Sequence, residues 1–119
     1  MTWEIAKRFE FSASHVLNGL PPGHQCGRLH GHNYAVEVCL ASDRLDDYGF
    51  VVDYGELGQF KKWLDAEVDH RHLNDLFPFQ PSAELLAGWF FERVRELDLP
   101  VVAVRVMETP KTVAEFRPR

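Results

Sequence analysis

Residues 26 to 34, Cys-Gly-Arg-Leu-His-Gly-His-Asn-Tyr, bring together a thiol and two imidazoles. His30 and His32 are two positions apart, so on a β-strand their side chains project from the same face. Neutral imidazole is a preferred ligand of zinc, and two imidazoles supply half of a tetrahedral site. The spacing therefore predicts a metal site at the beginning of a strand.

A third imidazole, that of His15, ends an earlier stretch in which apolar and polar residues alternate. Its parity puts it on the mainly apolar face, where an unpaired imidazole is costly to bury. If the two strands pair as a hairpin, His15 and His30 flank the same connection and three imidazoles can converge. Three protein ligands with an open fourth position are the arrangement of catalytic zinc.

Cys26 has three interpretations. Its thiol could be a metal ligand, a nucleophile or base beside the metal, or an inert group in a loop. Zinc or a nearby histidine would lower its pKa and make it a usable base. Cys39, by contrast, lies in the middle of a strand and is predicted to be buried in the packing.

Two further candidates carry carboxylates. Asp69 beside His70 could orient an imidazole and tune its basicity, although composition alone favours a solvated helix end for this segment. Glu108 shares strand parity with Val104 and Val106, so its side chain points to their apolar face or lies at the strand's exposed tip. On the apolar face the Glu108 carboxylate would need a partner. A carboxylate can accept hydrogen bonds from two adjacent N–H donors, such as those of a pterin or a guanine.

The elements that must position these groups follow from periodicity. Alternation predicts strands from Trp3 to about His15 and from about His30 to Ala41, and apolar spacings of three and four predict helices beginning near Asp53 and Ser82. Two more strands are predicted near 101–108 and 112–116. This β-β-α-α-β-β order favours an α+β fold, with an antiparallel four-stranded sheet and helices packed on one face.

Composition limits the class of protein. The 119 residues, 45% apolar and 26% charged, predict a single domain over residues 1–119. A net charge of -5 argues against a general nucleic-acid binder. No apolar run approaches the roughly 18 residues of a membrane span, and no signal peptide is visible. Two cysteines without an export signal predict reduced thiols and a cytoplasmic location.

Over essentially its whole length the chain resembles the superfamily of 6-pyruvoyltetrahydropterin synthases and 6-carboxytetrahydropterin synthases. The resemblance rests on separate segments in the same order: Phe11–His15, Cys26–Tyr34, Asp69–Asp75, Pro81–Glu84 and Glu108–Pro110. The chain departs from the family pattern at His72, where an aromatic residue is common, and at Leu85, where asparagine is frequent. Neither position is among the ligands that the resemblance implies.

The resemblance implies a role for each candidate: zinc held by His15, His30 and His32, a catalytic thiol at Cys26, a proton-transfer triad completed by Asp69 and His70, and a pterin anchor at Glu108. It also implies the tunnelling fold, in which subunits assemble as a dimer of trimers with active sites at the subunit interfaces. The expected partners are therefore a small pterin triphosphate and further copies of the chain, with neither nucleic acid nor membrane.

Spacing within the motif distinguishes the two branches of the superfamily. Three residues separate Cys26 from His30, as is typical of the 6-carboxytetrahydropterin branch, and the Glu108–Pro110 ending is also like that branch. The Phe11–His15 segment is more similar to the biopterin branch.

The activity implied is conversion of 7,8-dihydroneopterin triphosphate to 6-carboxy-5,6,7,8-tetrahydropterin by a zinc-dependent lyase, with release of acetaldehyde and triphosphate. Queuosine and other 7-deazapurines are the products that this branch serves. The alternatives are a 6-pyruvoyltetrahydropterin synthase and a non-catalytic module that binds pterin or zinc. Candidates for contacts to the triphosphate are Lys7, Arg8, Ser12 and Arg28.

Overall fold

The computed structural model describes residues 2–119. Its strands and α-helices follow one another in this order: β1 (Trp3–His15), β2 (His30–Ser42), α1 (Gly58–Glu67), β3 (Arg71–His72), α2 (Leu73–Leu76), α3 (Ala83–Arg95), β4 (Val101–Met107) and β5 (Ala114–Phe116). Short 3-10 turns at Gln25–Gly27 and Tyr54–Leu57 precede β2 and α1. The α+β class and the predicted order of the main elements are confirmed.

The sheet differs from the prediction in its number of strands. It has five strands in the order β3-β1-β2-β4-β5, where four antiparallel strands were expected. The additional strand, β3, has two residues and pairs in parallel with Ala13 and Ser14. Two residues are too few to produce an alternating pattern, so sequence periodicity could not predict this strand.

β1 and β2 form the long hairpin that positions the histidines. They pair antiparallel from Trp3 opposite Ser42 to His15 opposite His30. On the inner face, Phe9 and Phe11 lie buried opposite Val36 and Tyr34. Because side chains alternate along a strand, this burial fixes the register and brings the imidazoles of both strands to one end of the same face.

The helices cover that inner face. Asp53 accepts a hydrogen bond from the backbone N–H of Gly55 and caps the 3-10 turn before α1, while Ser82 accepts from Leu85 and caps α3. Phe60 of α1 and Phe90 of α3 are almost fully buried in the core cluster with the inner residues of the sheet. Within residues 2–119 no helix is long and apolar enough to cross a membrane.

Candidate metal centre and its surroundings

Three imidazoles meet where β1 ends and β2 begins. One ring nitrogen from each of His15, His30 and His32 lies within 4.8 Å of the others, so the group could hold a metal ion. The Nε2 atoms of His15 and His30 are 2.9 Å apart. His15 is fully buried, as its strand parity predicted. The predicted convergence of the three histidines is therefore found in the structure.

Backbone carbonyls determine which nitrogen of two of these rings is protonated. Nδ1 of His15 lies 2.8 Å from the carbonyl oxygen of Pro81, and Nδ1 of His30 lies 2.6 Å from that of Arg28. A carbonyl only accepts hydrogen bonds, so each Nδ1 carries a proton and Nε2 of each ring is left to face the cluster. A metal ion would bind both of these Nε2 atoms, and the carbonyls would hold the rings in the orientation that this requires.

His32 adds a third candidate ligand atom. Its Nε2 is buried and has no hydrogen-bond partner among residues 2–119, although Oε2 of Glu108 is 3.0 Å away. Burial lowers the pKa of His32 below its ordinary 6.5, against the opposing effect of the Glu108 charge. The ring is therefore neutral near pH 7, which is the form that binds a metal. An orphaned buried nitrogen beside the facing Nε2 atoms of His15 and His30 fits a bound cation.

Glu108 lies at this cluster. Besides its contact with His32, its Oε2 is 3.7 Å from Nε2 of His15. Strand parity left two possibilities for Glu108, the apolar face or an exposed strand tip, and these contacts agree with the first.

Tyr34 supports the cluster from within the core, a contact that sequence reasoning missed. Its ring stacks on Phe11 with centroids 4.8 Å apart, and its hydroxyl lies 3.3 Å from Nδ1 of His15. Burial raises the pKa of the Tyr34 hydroxyl well above its ordinary value of 10. Tyr34 has the same strand parity as His30 and His32, which is the only signal in the sequence that could have found it.

Asp69 and His70 form a close side-chain pair beside the last residues of β1. Oδ2 of Asp69 is 2.9 Å from Nδ1 of His70, and Oδ1 accepts a hydrogen bond of 2.8 Å from the backbone N–H of Ser12. The Ser12 bond, helped by His70, holds the pKa of Asp69 below its usual value. His70 has a φ of 62°, uncommon for a residue with a side chain, and its own N–H donates to the Ser12 carbonyl.

This arrangement can hold an imidazole for proton transfer. The carboxylate accepts at Nδ1, so Nε2 of His70 is left to face a ligand, and the His70 side chain is 80% exposed. The predicted pairing of Asp69 with His70 is found, whereas a merely solvated helix end would not require the long-range bond to Ser12.

Cys26 lies outside the histidine cluster. It is half-buried in the 3-10 turn, where its N–H donates to the His24 side chain and its carbonyl accepts from Leu17. Among residues 2–119, the potential metal-binding group consists of the three histidines alone. In the part of the chain that the structure describes, Asp69 and His70 pair with each other, and the Cys26 thiol has no hydrogen bond to either.

A cleft at the far end of the sheet contains none of the predicted site residues. Its volume is about 620 Å³, and its walls include Tyr48, Phe50 and Pro100. Two smaller clefts, of about 590 and 450 Å³, contain His70, and the second also reaches His32. The chemistry of their side chains, rather than cleft size, identifies these two as the surroundings of the candidate site.

Comparison with known proteins identifies relatives of the whole chain. The model of the family described as 6-pyruvoyl tetrahydropterin synthase matches residues 4–119. A protein of Synechocystis named 6-carboxy-5,6,7,8-tetrahydropterin synthase is 38% identical, with 98% of this chain and 95% of the relative aligned. A Bacillus subtilis protein of the same name is 33% identical over 99% of this chain and 87% of the relative.

Solved structures share the fold. An uncharacterized protein from Wolinella succinogenes superposes with a TM-score of 0.89 at 24% identity, covering 100% of this chain and 99% of the other. Caenorhabditis elegans 6-pyruvoyl tetrahydropterin synthase superposes with a TM-score of 0.86, also at 24% identity, covering 100% and 97%. At this level of identity the likeness establishes the architecture and leaves the reaction to other arguments.

Proposed function

The chain belongs to the 6-pyruvoyl tetrahydropterin synthase family, and from that premise we propose that it is a zinc-dependent 6-carboxy-5,6,7,8-tetrahydropterin synthase. The substrate would be 7,8-dihydroneopterin triphosphate, and the products 6-carboxy-5,6,7,8-tetrahydropterin, acetaldehyde and triphosphate. The names of the Synechocystis and Bacillus relatives support this activity over that of the biopterin branch. The three residues between Cys26 and His30 support the same choice.

The observation that carries the proposal is the convergence of three ring nitrogens, one each from His15, His30 and His32, within 4.8 Å of one another. A trio of imidazoles with an open fourth position is the donor set of catalytic zinc. When bound, zinc would act as a Lewis acid and lower the pKa of a substrate hydroxyl.

The chain's own residues would then move the protons. Cys26 is proposed to exchange protons at the carbons of the substrate's side chain. His70, oriented by the Asp69 carboxylate 2.9 Å away, would act as the opposing acid or base. The Glu108 carboxylate would hold the pterin ring by accepting hydrogen bonds from two adjacent N–H groups of the ring.

We also propose a domain organisation, a subunit assembly and a cellular location for the enzyme. Residues 1–119 would act as one domain, and subunits would assemble as a dimer of trimers, so that Cys26 of one chain approaches Asp69 and His70 of another. Two free cysteines suit a reducing compartment, and we place the enzyme in the cytoplasm, on a route to queuosine or another 7-deazapurine.

A product assay tests the proposal. The zinc-loaded protein is incubated with 7,8-dihydroneopterin triphosphate, acetaldehyde is trapped, and pterins are separated by chromatography. Acetaldehyde with the carboxypterin supports the lyase. Accumulation of the pyruvoyl product without acetaldehyde would instead favour the second candidate, to which the Phe11–His15 segment is similar. Pterin binding without any product would indicate a non-catalytic module.

A further inference from the structure

The loop between β1 and β2 carries the proposed catalytic thiol and is mostly irregular. It runs over residues 16–29, and Cys26 lies in the short 3-10 turn Gln25–Gly27. Gly19 and Gly23 have φ values of 79° and 84°, in the left-handed region that glycine adopts readily. Segments with few buried contacts open locally at a low cost in free energy. The placement of the Cys26 thiol therefore depends on the contacts that hold this loop.

Asn74 of α2 holds the beginning of this loop through both polar atoms of its side-chain amide. Its Oδ1 accepts a hydrogen bond of 2.9 Å from the backbone N–H of Val16, and its Nδ2 donates one of 2.9 Å to the Val16 carbonyl oxygen. The amide side chain is suited to this pairing because it offers an N–H donor and a carbonyl acceptor side by side. Both backbone polar groups of Val16 are therefore satisfied by one side chain.

Val16 lies between the histidine cluster and the contact that holds the Cys26 turn. It follows His15 directly, and the next residue, Leu17, donates its N–H to the Cys26 carbonyl oxygen at 3.1 Å. The residue held by Asn74 is therefore adjacent in the chain both to a predicted metal ligand and to the residue that anchors the turn.

His15 has supports of its own that do not involve Asn74. Its Nδ1 lies 2.8 Å from the carbonyl oxygen of Pro81, and its backbone is paired with His30 at the end of the hairpin. Loss of the Asn74 amide should therefore disturb the Cys26 turn more than the histidine cluster.

Gln80 makes a second side-chain contact to the loop. Its Oε1 accepts a hydrogen bond of 2.7 Å from the N–H of Asn18. This bond is exposed, whereas both bonds of Asn74 are partly buried, so water competes more readily for the Gln80 contact. Asn74 therefore makes the stronger of the two contacts to the start of the loop.

Building on the proposed function, in which Cys26 exchanges protons with the substrate, we propose that Asn74 is a positioning residue for the Cys26 thiol. Its amide fixes Val16, and the hydrogen bond between Leu17 and Cys26 extends that fixed geometry to the turn. Asn74 acts through Cys26 and transfers no proton itself. A displacement of about 1 Å at a reacting group can lower a rate about 100-fold, so this placement contributes directly to turnover.

Alkylation of the thiols tests the placement of Cys26 without turnover. Zinc-loaded protein is treated with iodoacetamide at one pH, and the modification of each cysteine is followed by mass spectrometry. Because the turn opens more often in Asn74→Ala, we expect the half-buried Cys26 to react several-fold faster than in wild type. The buried Cys39 should stay protected, and the zinc content should stay unchanged.

Two further variants complete this series. Asn74→Asp keeps an acceptor for the Val16 N–H but loses the donor to the Val16 carbonyl, so its Cys26 alkylation rate should fall between those of wild type and Asn74→Ala. Asn18→Ala is the matched control, since the Asn18 side chain is exposed and forms no hydrogen bond within residues 2–119. Its backbone bond to Gln80 survives the substitution, so its alkylation rate should equal that of wild type.

Kinetics separate positioning of the thiol from a general loosening of the fold. Asn74→Ala should lower kcat by about 10- to 100-fold with little change in KM. The same substitution in a Cys26→Ala background should cause no further loss, because two groups that act together give non-additive effects.

Equal alkylation of Cys26 in wild type and Asn74→Ala, or an equal acceleration in Asn18→Ala, would overturn the inference while leaving the proposed reaction intact. Faster alkylation of Cys39 as well would overturn it, since the whole fold would then have loosened. A full further loss of kcat in the Cys26→Ala background would overturn it too. Faster alkylation of Cys26 alone, in a protein that converts no substrate, would support the placement by Asn74 and reject the reaction.

Discussion

The position of one proton on each imidazole decides whether the histidine cluster can bind a cation. At His15 and His30 the carbonyls of Pro81 and Arg28 hold a proton on Nδ1, so both Nε2 atoms face the cluster. Such outer contacts commonly change metal affinity by about 10- to 100-fold. Backbone carbonyls therefore help to orient the imidazoles that could bind a metal.

Replacement of Cys26 separates the roles of ligand and catalyst. Because the thiol lies outside the histidine group, we expect Cys26→Ala to retain its zinc and to lose turnover by about 10²- to 10⁴-fold, the usual contribution of a positioned acid or base. Zinc per chain can be measured by elemental analysis, with His32→Ala as the control that should lose the metal. Loss of zinc from Cys26→Ala would identify the thiol as a ligand instead.

Asp69 should make stability depend on pH in a defined direction. Its pKa is lowered on folding, chiefly by the Ser12 N–H, so the ionised form stabilises the fold. This contribution is complete above the unfolded pKa of about 3.9 and disappears as pH falls through the lower folded value.

The Tm of wild type should therefore exceed that of Asp69→Asn above about pH 4, with the difference shrinking at lower pH. Asp65→Asn is a matched control, since Asp65 forms only an exposed pair with Lys61. A difference between wild type and Asp69→Asn that grows on acidification would contradict the assigned cause. Effects shared by the variants, such as protonation of the histidines, cancel in the comparison.

Among the elements, α3 holds the histidine end of the hairpin in place. Phe90 packs edge-on against Phe11 of β1 with centroids 5.9 Å apart, and Phe11 stacks on Tyr34 of β2. Tyr34 in turn reaches His15. The helix and the metal ligands are thus joined by a continuous series of aromatic contacts.

Truncation of Phe90 should weaken this packing. Phe90 is fully buried, and a large aromatic side chain replaced by alanine in a core costs about 3–5 kcal/mol, so the urea midpoint of Phe90→Ala should fall substantially. Leu85→Ala in the same helix, where the side chain is 50% exposed, should change the free energy of unfolding by no more than about 0.5 kcal/mol. Similar losses in both variants would mean that helix propensity rather than core packing is responsible.

Sequence patterns predicted the strands and helices in which apolar residues recur at a regular spacing. Alternation found β1 and β2, and strand parity placed His15, His30 and His32 on one face before their contact was seen. The short β3 and α2 have too few residues for a period. The carbonyls that orient the imidazoles were also beyond prediction, because residue type does not indicate where a backbone oxygen will point.

At the scale of the whole molecule, the sheet has an unpaired strand edge that could pair with another chain. β3 pairs with β1 only at Ala13 and Ser14, and Asp69 and His70 bond the backbone of Ser12, so on the side away from β2 the earlier part of this long strand has no partner strand within residues 2–119. Unpaired strand edges commonly pair with another chain. This edge, and the lack of a hydrogen bond between Cys26 and Asp69 within residues 2–119, are both consistent with a site completed by a second subunit.

Subunit complementation tests that arrangement. Cys26→Ala and Asp69→Asn should each be nearly inactive, but mixed oligomers made by co-expressing the two with different tags should recover turnover, because some interfaces then contain both intact groups. Oligomers of each variant alone are the control. Mixed oligomers that remain as inactive as their parents would mean that each active site is formed within one chain.

The most direct measurement of the whole account relates acetaldehyde to bound zinc. Protein stripped of metal is reloaded in steps, and acetaldehyde released from 7,8-dihydroneopterin triphosphate is measured at each step. We expect no release from the stripped protein, a rise in proportion to zinc up to one ion per chain, and one acetaldehyde for each substrate consumed. Release that persists without metal, or consumption of substrate without acetaldehyde, would contradict the account.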